Sequence, residues 1–404
     1  MRSYTVVAGL AYIAAATASG LTSCLDAASV TYSTPDSPHF QNQSSVYNVN
    51  AQFAPVVVAL PSTPEHVSSA LTCASSQNIK VQAKGGGHSF AGYGSGGKDG
   101  ALIVDMEAFQ DIIVNTDGTA KIGGGVRLGN LAVSLYKQGK RAMPHGSCSG
   151  VGIGGHATHG GYGYASRAWG LTLDTILAMD VVLANGTITT ASAATNPDIF
   201  FALRGAAESF GIVTAFHTQT FPAPESVVNY SFAFESMFNG TDSAAATAAL
   251  LHMQDFARNA SVVDRSLGFG TYLDAGRWQT SGAYMGSLEH FNAVIKPEFL
   301  RGFPPPDTER VEVVSWTDSL AILAGEPLET PLPGYLYSEH DDFFAKSVTV
   351  PEAGADGTVG VSAEAATAYF DYIRQQSRQC ACIGLLGVSA PGHVVGVSAL
   401  RIRV

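Results

Sequence analysis

The hydrophobic positions of the chain change period along its length, and each change marks an element. Ala54-Pro55-Val56-Val57-Val58-Ala59-Leu60 is an apolar run of strand length. Behind it, Pro61-Ser62-Thr63-Pro64-Glu65 carries the capping residues, proline and first-turn acid that open a helix continuing to Ser76. Short strands are predicted at residues 80–83, 101–105 and 120–124, with a helix over 127–139. Residues 175–183 form the strongest strand pattern, and Asn185-Gly186 turns it back into a return strand at 187–190. Past Phe221-Pro222-Ala223-Pro224 the texture changes: 229–235 alternates as a strand, 242–257 is amphipathic at helical period, and 266–272 and 279–285 read as paired strands. The fold class is therefore α+β. At 404 residues two domains are expected, a first over 21–224 and a second over 225–379 built on an antiparallel sheet covered by helices, followed by an atypical tail at 380–404.

Composition narrows what such a chain can do. Hydrophobic residues are 46% against 14% charged, which suits large buried cores and argues against disorder. The net charge of −11 is spread thinly, and no Lys/Arg block is present to track a phosphate backbone, so nucleic acid is excluded as a partner. Arg2, the apolar residues 6–15 and the small residues Ala16-Thr17-Ala18 have the form of a signal peptide, and the apolar run is shorter than the roughly 20 residues a membrane-spanning helix needs. Residues 1–20 are expected to be removed and the mature protein to be a secreted monomer with no membrane partner. Sequons at Asn42, Asn185, Asn229, Asn239 and Asn259 are compatible with glycosylation. In an oxidising compartment each cysteine needs an assignment. Cys24 and Cys73 are expected to pair and pin the mature N-terminus to the first helix, Cys148 is left for other chemistry, and Cys380 and Cys382 lie too close in sequence to bridge each other easily.

Two glycine-rich segments carry the candidate chemistry. Lys84-Gly85-Gly86-Gly87-His88-Ser89 follows a strand directly, and three successive glycines let backbone N–H groups approach an anionic group such as a pyrophosphate. Taken alone, the same residues also read as a turn with a surface histidine; the spacing is not that of a Rossmann fingerprint. The second segment runs from Pro144 through Gly146, Cys148, Gly152, Gly154, Gly155, His156, Gly160 and Gly161 to Gly163, a glycine density that costs backbone entropy unless the main chain lies against something large and flat. Cys148, flanked by small residues, is a candidate thiolate or an inert small residue. His156 and His159 have short metal-ligand spacing, but a glycine-rich strand and turn is a poor platform and no carboxylate follows, so no metal is expected.

Together these segments resemble a known family: the FAD-linked oxidases of the vanillyl-alcohol-oxidase (PCMH) type, in the berberine-bridge-enzyme-like group that includes fungal gluco- and chito-oligosaccharide oxidases. The matching motifs are Gly85-Gly86-Gly87-His88-Ser89, Gly123-Gly124-Gly125-Val126-Arg127-Leu128-Gly129, Gly146-Ser147-Cys148-Ser149-Gly150-Val151-Gly152, Gly154-Gly155-His156, Gly160-Gly161-Tyr162-Gly163 and Ser166-Arg167-Ala168-Trp169-Gly170-Leu171-Thr172-Leu173-Asp174. Arg204-Gly205-Ala206 and Phe210-Gly211-Ile212-Val213 complete the set, which spans about residues 50–225. The resemblance implies a two-domain PCMH-type fold and an FAD bonded twice, through His88 and Cys148. It places Lys84, Gly85, Gly86, Gly87, Ser89, Gly146, Gly152, Gly154, Gly155, His156, Gly160, Gly161, Gly211, Ile212 and Val213 along the cofactor. The implied reaction takes hydride from C1–H of a reducing sugar, giving a lactone, with dioxygen reduced to hydrogen peroxide.

The chain also departs from the family pattern. The family's base is a tyrosine in an Asn-Tyr pair near the C-terminus, and residues from Cys380 onward offer no counterpart; a truncated or wrongly spliced reading frame is the expected explanation. Phe90 stands where related sugar oxidases often carry tyrosine and is expected beside the substrate. Residues 338–347 read as the substrate-domain strand facing the flavin. There Asp341 or Asp342 would tune a base and Lys346 would contact substrate, a solvated charge cluster being the other reading. Tyr272, Trp278 and Tyr284 are either sugar-stacking surface aromatics or core residues. Three functions remain open on the sequence: an oligosaccharide oxidase, a tailoring oxidase of a secondary metabolite, and an inactive truncated flavoprotein.

Overall fold

Thr63 accepts a hydrogen bond from the His66 N–H and Pro64 occupies the first turn, so the chain enters its first long helix where the capping signal predicts. The computed structural model describes residues 19–238, 243–274, 276–342, 344–348, 360–375 and 398–402. Residues 1–18 of the expected signal segment, Asn239, Cys380, Cys382 and most of the tail lie outside them.

The chain divides into two compact units, each contributed by discontinuous segments. The first contains two sheets. In one, β1 (Tyr32–Ser33), β2 (Val57–Ala59), β3 (Val81–Lys84) and β4 (Leu102–Asp105) are ordered β1-β2-β4-β3, with β2 and β3 parallel to β4. Helix α1 (Pro64–Ser76) packs Val67, Ala70 and Leu71 into a core with Val57, Leu102 and Val104, where Leu21 and Leu25 also sit. The Cys24–Cys73 disulfide forms as expected, its Cα atoms 5.7 Å apart.

The second sheet of this unit is antiparallel throughout: β5 (Ile112–Val114), β6 (Thr119–Gly123), β7 (Ile176–Leu183), β8 (Ile188–Ser192) and β9 (Gly211–Gln219) in the order β5-β6-β9-β7-β8. Its core holds Ile122, Met179, Val181 and Phe216 with residues of helices α2 (Leu128–Lys137) and α4 (Pro197–Ala206). Between those helices, residues Ile153–Thr158 form the short helix α3, not the strand and turn expected around His156. Gly154 lies against the Gly124 carbonyl, so packing decides a segment whose glycines disfavour a helix on propensity alone.

The second unit is built on an antiparallel sheet of β10 (Val227–Ala233), β11 (Leu267–Asp274), β12 (Arg277–Tyr284) and β13 (Thr308–Val314), ordered β11-β12-β10-β13. Helices α5 (Ala244–Arg258), α6 (Trp316–Ala324) and α7 (Ala363–Gln375) belong to it, and α5 and α7 bury Met253, Phe256, Phe370 and Ile373 with Phe232 and Trp278. Trp278 and Tyr284 are core residues, not surface aromatics. Asn229 is buried with its amide donating to Ser319 Oγ at 3.0 Å, which removes that sequon as a glycan acceptor in the folded chain. Pro327–Asp341, read from sequence as part of the second domain, clusters with the first unit, and Tyr162–Leu171 with the second.

Candidate functional site

The two glycine segments meet in the first unit, main chain against main chain. A Cβ on Gly86 would lie 2.3 Å from the Gly152 nitrogen, and one on Gly152 would lie 2.1 Å from the Gly86 nitrogen, so neither position has room for a side chain. Leu128 N–H donates to Val151 O at 2.9 Å and Ile153 N–H to Val126 O at 2.8 Å, which binds the second segment to the start of α2. By contrast a Cβ on Gly155 would meet nothing within 4 Å, and one on Gly85 nothing nearer than 3.8 Å. The joined loops therefore pair a tight seam with bare backbone beside it.

Arg127 is buried at this seam. It donates to Gly150 O at 2.5 Å, to Gly86 O at 3.3 Å and to Gly334 O at 3.1 Å, joining both loops to the returning segment Pro327–Asp341. That segment is also pinned by Asn130, which accepts from Thr330 N–H at 2.9 Å and donates to Thr330 O at 3.3 Å. Lys84 forms a buried ion pair with Asp105 at 3.4 Å and donates to the Gln43 carbonyl; its ammonium is engaged by the protein itself. Burial, followed by the nearby Asp105 charge, raises the pKa of Glu107 in the same polar cavity.

His88 sits between aromatic rings. Tyr47 stacks on it at 4.5 Å between centroids with 16° between planes, and Tyr337 lies at 5.8 Å inclined by 40°. Its Nε2 is buried and has no hydrogen-bond partner among the described residues. Burial first, then the positive charge of Arg127 and His340, pulls its pKa down to about 3, so the imidazole is neutral across the physiological range. On the second segment Cys148 is exposed. His156 Nε2 accepts the Gly146 N–H at 3.0 Å, and burial followed by repulsion from His145 lowers its pKa to about 4.

The remaining sequence candidates are distributed as follows. Gly87 has φ +76°, and Gly161 has φ +77° with the Thr172 hydroxyl where a Cβ would stand. The carbonyls of Gly160 and Gly161 accept from Leu173 and Thr172 N–H, both at 2.9 Å. Gly211, Ile212 and Val213 open β9, with the Ile212 and Val213 side chains buried in two different cores. Ser89 O accepts the Gly92 N–H at 3.1 Å. Phe90 is 55% exposed, and its carbonyl accepts from Asn48 at 2.8 Å. Asp341 N–H donates to Tyr47 O at 2.8 Å, whereas Asp342 belongs to the second unit. Lys346 lies on the strand Phe344–Val348, with its side chain outside the described residues. Arg127 appeared only as part of a motif, and Tyr47, Tyr337 and His340 were not singled out at all; only their convergence on His88 marks them. The orphaned Nε2 of His88, the bare backbone at Gly85 and Gly155 and the exposed thiol of Cys148 fit a large flat cofactor.

Comparison with known proteins agrees on the cofactor. The family described as FAD binding domain matches residues 55–192. The chain is 40% identical over 275 residues to the FAD-linked oxidoreductase dpmaF of Metarhizium anisopliae, covering 68% of this chain and 52% of that protein. It is 35% identical over 349 residues to the xylooligosaccharide oxidase of Thermothelomyces thermophilus, covering 86% of this chain and 68% of that protein. The chain thus spans about half to two thirds of the length of these relatives. A solved structure of glucooligosaccharide oxidase from Acremonium strictum, whose FAD is described as 6-S-cysteinyl, 8α-N1-histidyl, aligns with a TM-score of 0.82 at 29% identity over 95% of this chain and 80% of that one. The glycine seam, the matched domain and these likenesses place the chain in the FAD-linked oxidase family that contains the oligosaccharide oxidases and the berberine bridge enzyme-like proteins.

Proposed function

We propose that the protein is a secreted oxidase that converts the reducing-end C1 hydroxyl of an oligosaccharide to a lactone and passes the electrons to dioxygen, with its FAD bonded through both His88 and Cys148. The observation that carries this reading is the neutral, half-buried His88 ring with an unpartnered nitrogen, on a glycine loop joined at Gly86 and Gly152 to the segment bearing Cys148. When bound, FAD supplies the two-electron acceptor. The protein's own residues do the rest. Gly85 and Gly155 present bare main chain to the cofactor, His156 holds the Gly146 turn in place, and neutral His88 offers a lone pair for attachment. Phe90, exposed two residues after His88, offers an apolar face to a sugar ring.

The test is incubation of the secreted protein with cello-, xylo- and chito-oligosaccharides while hydrogen peroxide is measured, alongside acid denaturation followed by a visible spectrum and intact mass. Peroxide release with one FAD retained on the unfolded polypeptide supports the reading. A colourless polypeptide, or yellow protein inert to every sugar, refutes it. The 40% identity to an FAD-linked oxidoreductase not named for a sugar favours one second reading, a tailoring oxidase acting on another small molecule. Covalent flavin with no response to any oligosaccharide distinguishes it.

A further inference from the structure

Attachment at His88 requires more than a neutral ring. The bond that forms joins an imidazole nitrogen to the 8-methyl carbon of the flavin. One N–H and one C–H bond break, and the two electrons and two protons released go to dioxygen as hydrogen peroxide. A ring free to turn about its side-chain torsions would present that nitrogen correctly only part of the time.

In this chain two tyrosines restrict it, and both are themselves fixed. Tyr47 N–H donates to Gly87 O at 3.0 Å and Tyr47 O accepts the Asp341 N–H at 2.8 Å, so the residue that stacks on His88 is laddered to the loop that carries His88. Tyr337 is held from three sides. The Arg127 guanidinium lies 5.0 Å from its ring centroid, its hydroxyl donates to Glu339, and Gly150 leaves space for the ring that any Cβ would take, at 2.2 Å from its Cζ. Arg127 also bonds both glycine loops, so one buried cation sets the loops and Tyr337 together.

We infer that Tyr47 and Tyr337 are positioning residues that hold the His88 ring at the angle required for flavin attachment, with Arg127 fixing Tyr337 in turn. The inference rests on the reading of His88 as an attachment site. It also gives the Asp341 main chain a part in the same ladder.

The experiment uses the full chain carrying Cys148→Ser, so that any flavin surviving denaturation is held through His88 alone. Tyr337→Leu and Tyr47→Leu are introduced separately, with Tyr337→Phe as the conservative variant, and folding is checked by circular dichroism. Two quantities are read: flavin bound in the native protein, and flavin fluorescence left on the polypeptide in a denaturing gel. The expected result is native binding close to that of the Cys148→Ser parent with attached flavin reduced about tenfold or more in either Leu variant. Tyr337→Phe should retain attachment, because it keeps the ring that packs against His88 and loses only the hydroxyl bonded to Glu339. Full attachment in both Leu variants overturns the inference while leaving the parent reading intact. A parent chain that releases all its flavin overturns both, and does so before any tyrosine is changed. Should Tyr337→Leu fail to fold, Tyr47→Leu decides.

Discussion

The aromatic core of the second unit and the glycine seam of the first are held together by different means. In the second, large rings do the packing: Phe256 meets Phe299 at 5.0 Å and 86°, Phe269 meets Phe299 at 5.7 Å and 89°, and Trp278 meets Phe303 at 5.5 Å and 82°, the edge-to-face geometry aromatic quadrupoles favour. In the first, the seam between the two glycine loops is packed by backbone and not by side chains. Main chain touches main chain at Gly86 and Gly152, and the buried charges Lys84, Asp105 and Arg127 satisfy one another and the surrounding carbonyls. An aromatic core tolerates modest adjustment because contacts are many and individually weak. A glycine seam with buried charges does not, since each contact is a hard steric limit or an ion that cannot be left unpaired. The difference locates the ligand chemistry: bare backbone and fixed charge belong where a cofactor must be approached closely.

The comparison can be broken most forcefully from the aromatic side. Phe256→Ala should destabilise the protein by about 3–5 kcal/mol in urea unfolding, the range for emptying a buried ring site, while FAD content per folded molecule stays unchanged. Loss of flavin in step with stability would show that the units do not divide the labour in this way. Asp105→Ala, which strands Lys84, should cost a similar amount, about 3–5 kcal/mol, and here flavin content should fall with it. Gly152→Ala forces a methyl against the Gly86 nitrogen. A smaller loss of about 1–3 kcal/mol is expected, with a disproportionate drop in native flavin absorbance.

The most gradual effect concerns pH. His156 has a folded pKa of about 4 against 6.5 unfolded, so below pH 6.5 the unfolded chain takes up a proton that the folded chain refuses. Stability attributable to this group is therefore intact above pH 6.5 and falls as pH drops toward 4, by at most about 1.4 kcal/mol per pH unit. His156→Gln should flatten that part of a stability-against-pH curve; an unchanged slope would mean that the imidazole is not excluded from charging.

Much of this was legible in the chain. The Thr63-Pro64-Glu65 opening and the Asn185-Gly186 hairpin each correspond to an observed element, because caps and tight turns depend on neighbours a few residues away; a strand also forms at Val227–Ala233, though it is buried almost throughout and not on alternate positions. Central strand β9 was missed: Gly211–Gln219 is buried almost continuously, so no period-two pattern shows. The charged strand β13, with Thr308, Glu309 and Arg310 exposed, was missed for the opposite reason. Helix α3 was hidden by its own glycines.

The sequence by itself determined the α+β class, the Cys24–Cys73 pairing and the two glycine segments with His88 and Cys148, since these follow from local chemistry and ordered motifs. Only the tertiary structure decided that Gly86 seats on Gly152, that Arg127 joins Gly150 to Gly334, and that Tyr47 and Tyr337, 290 positions apart in the numbering, converge on His88. Contacts between distant segments depend on how whole elements pack, and close packing fixes that through the combined shape of many side chains, which no stretch of local sequence encodes.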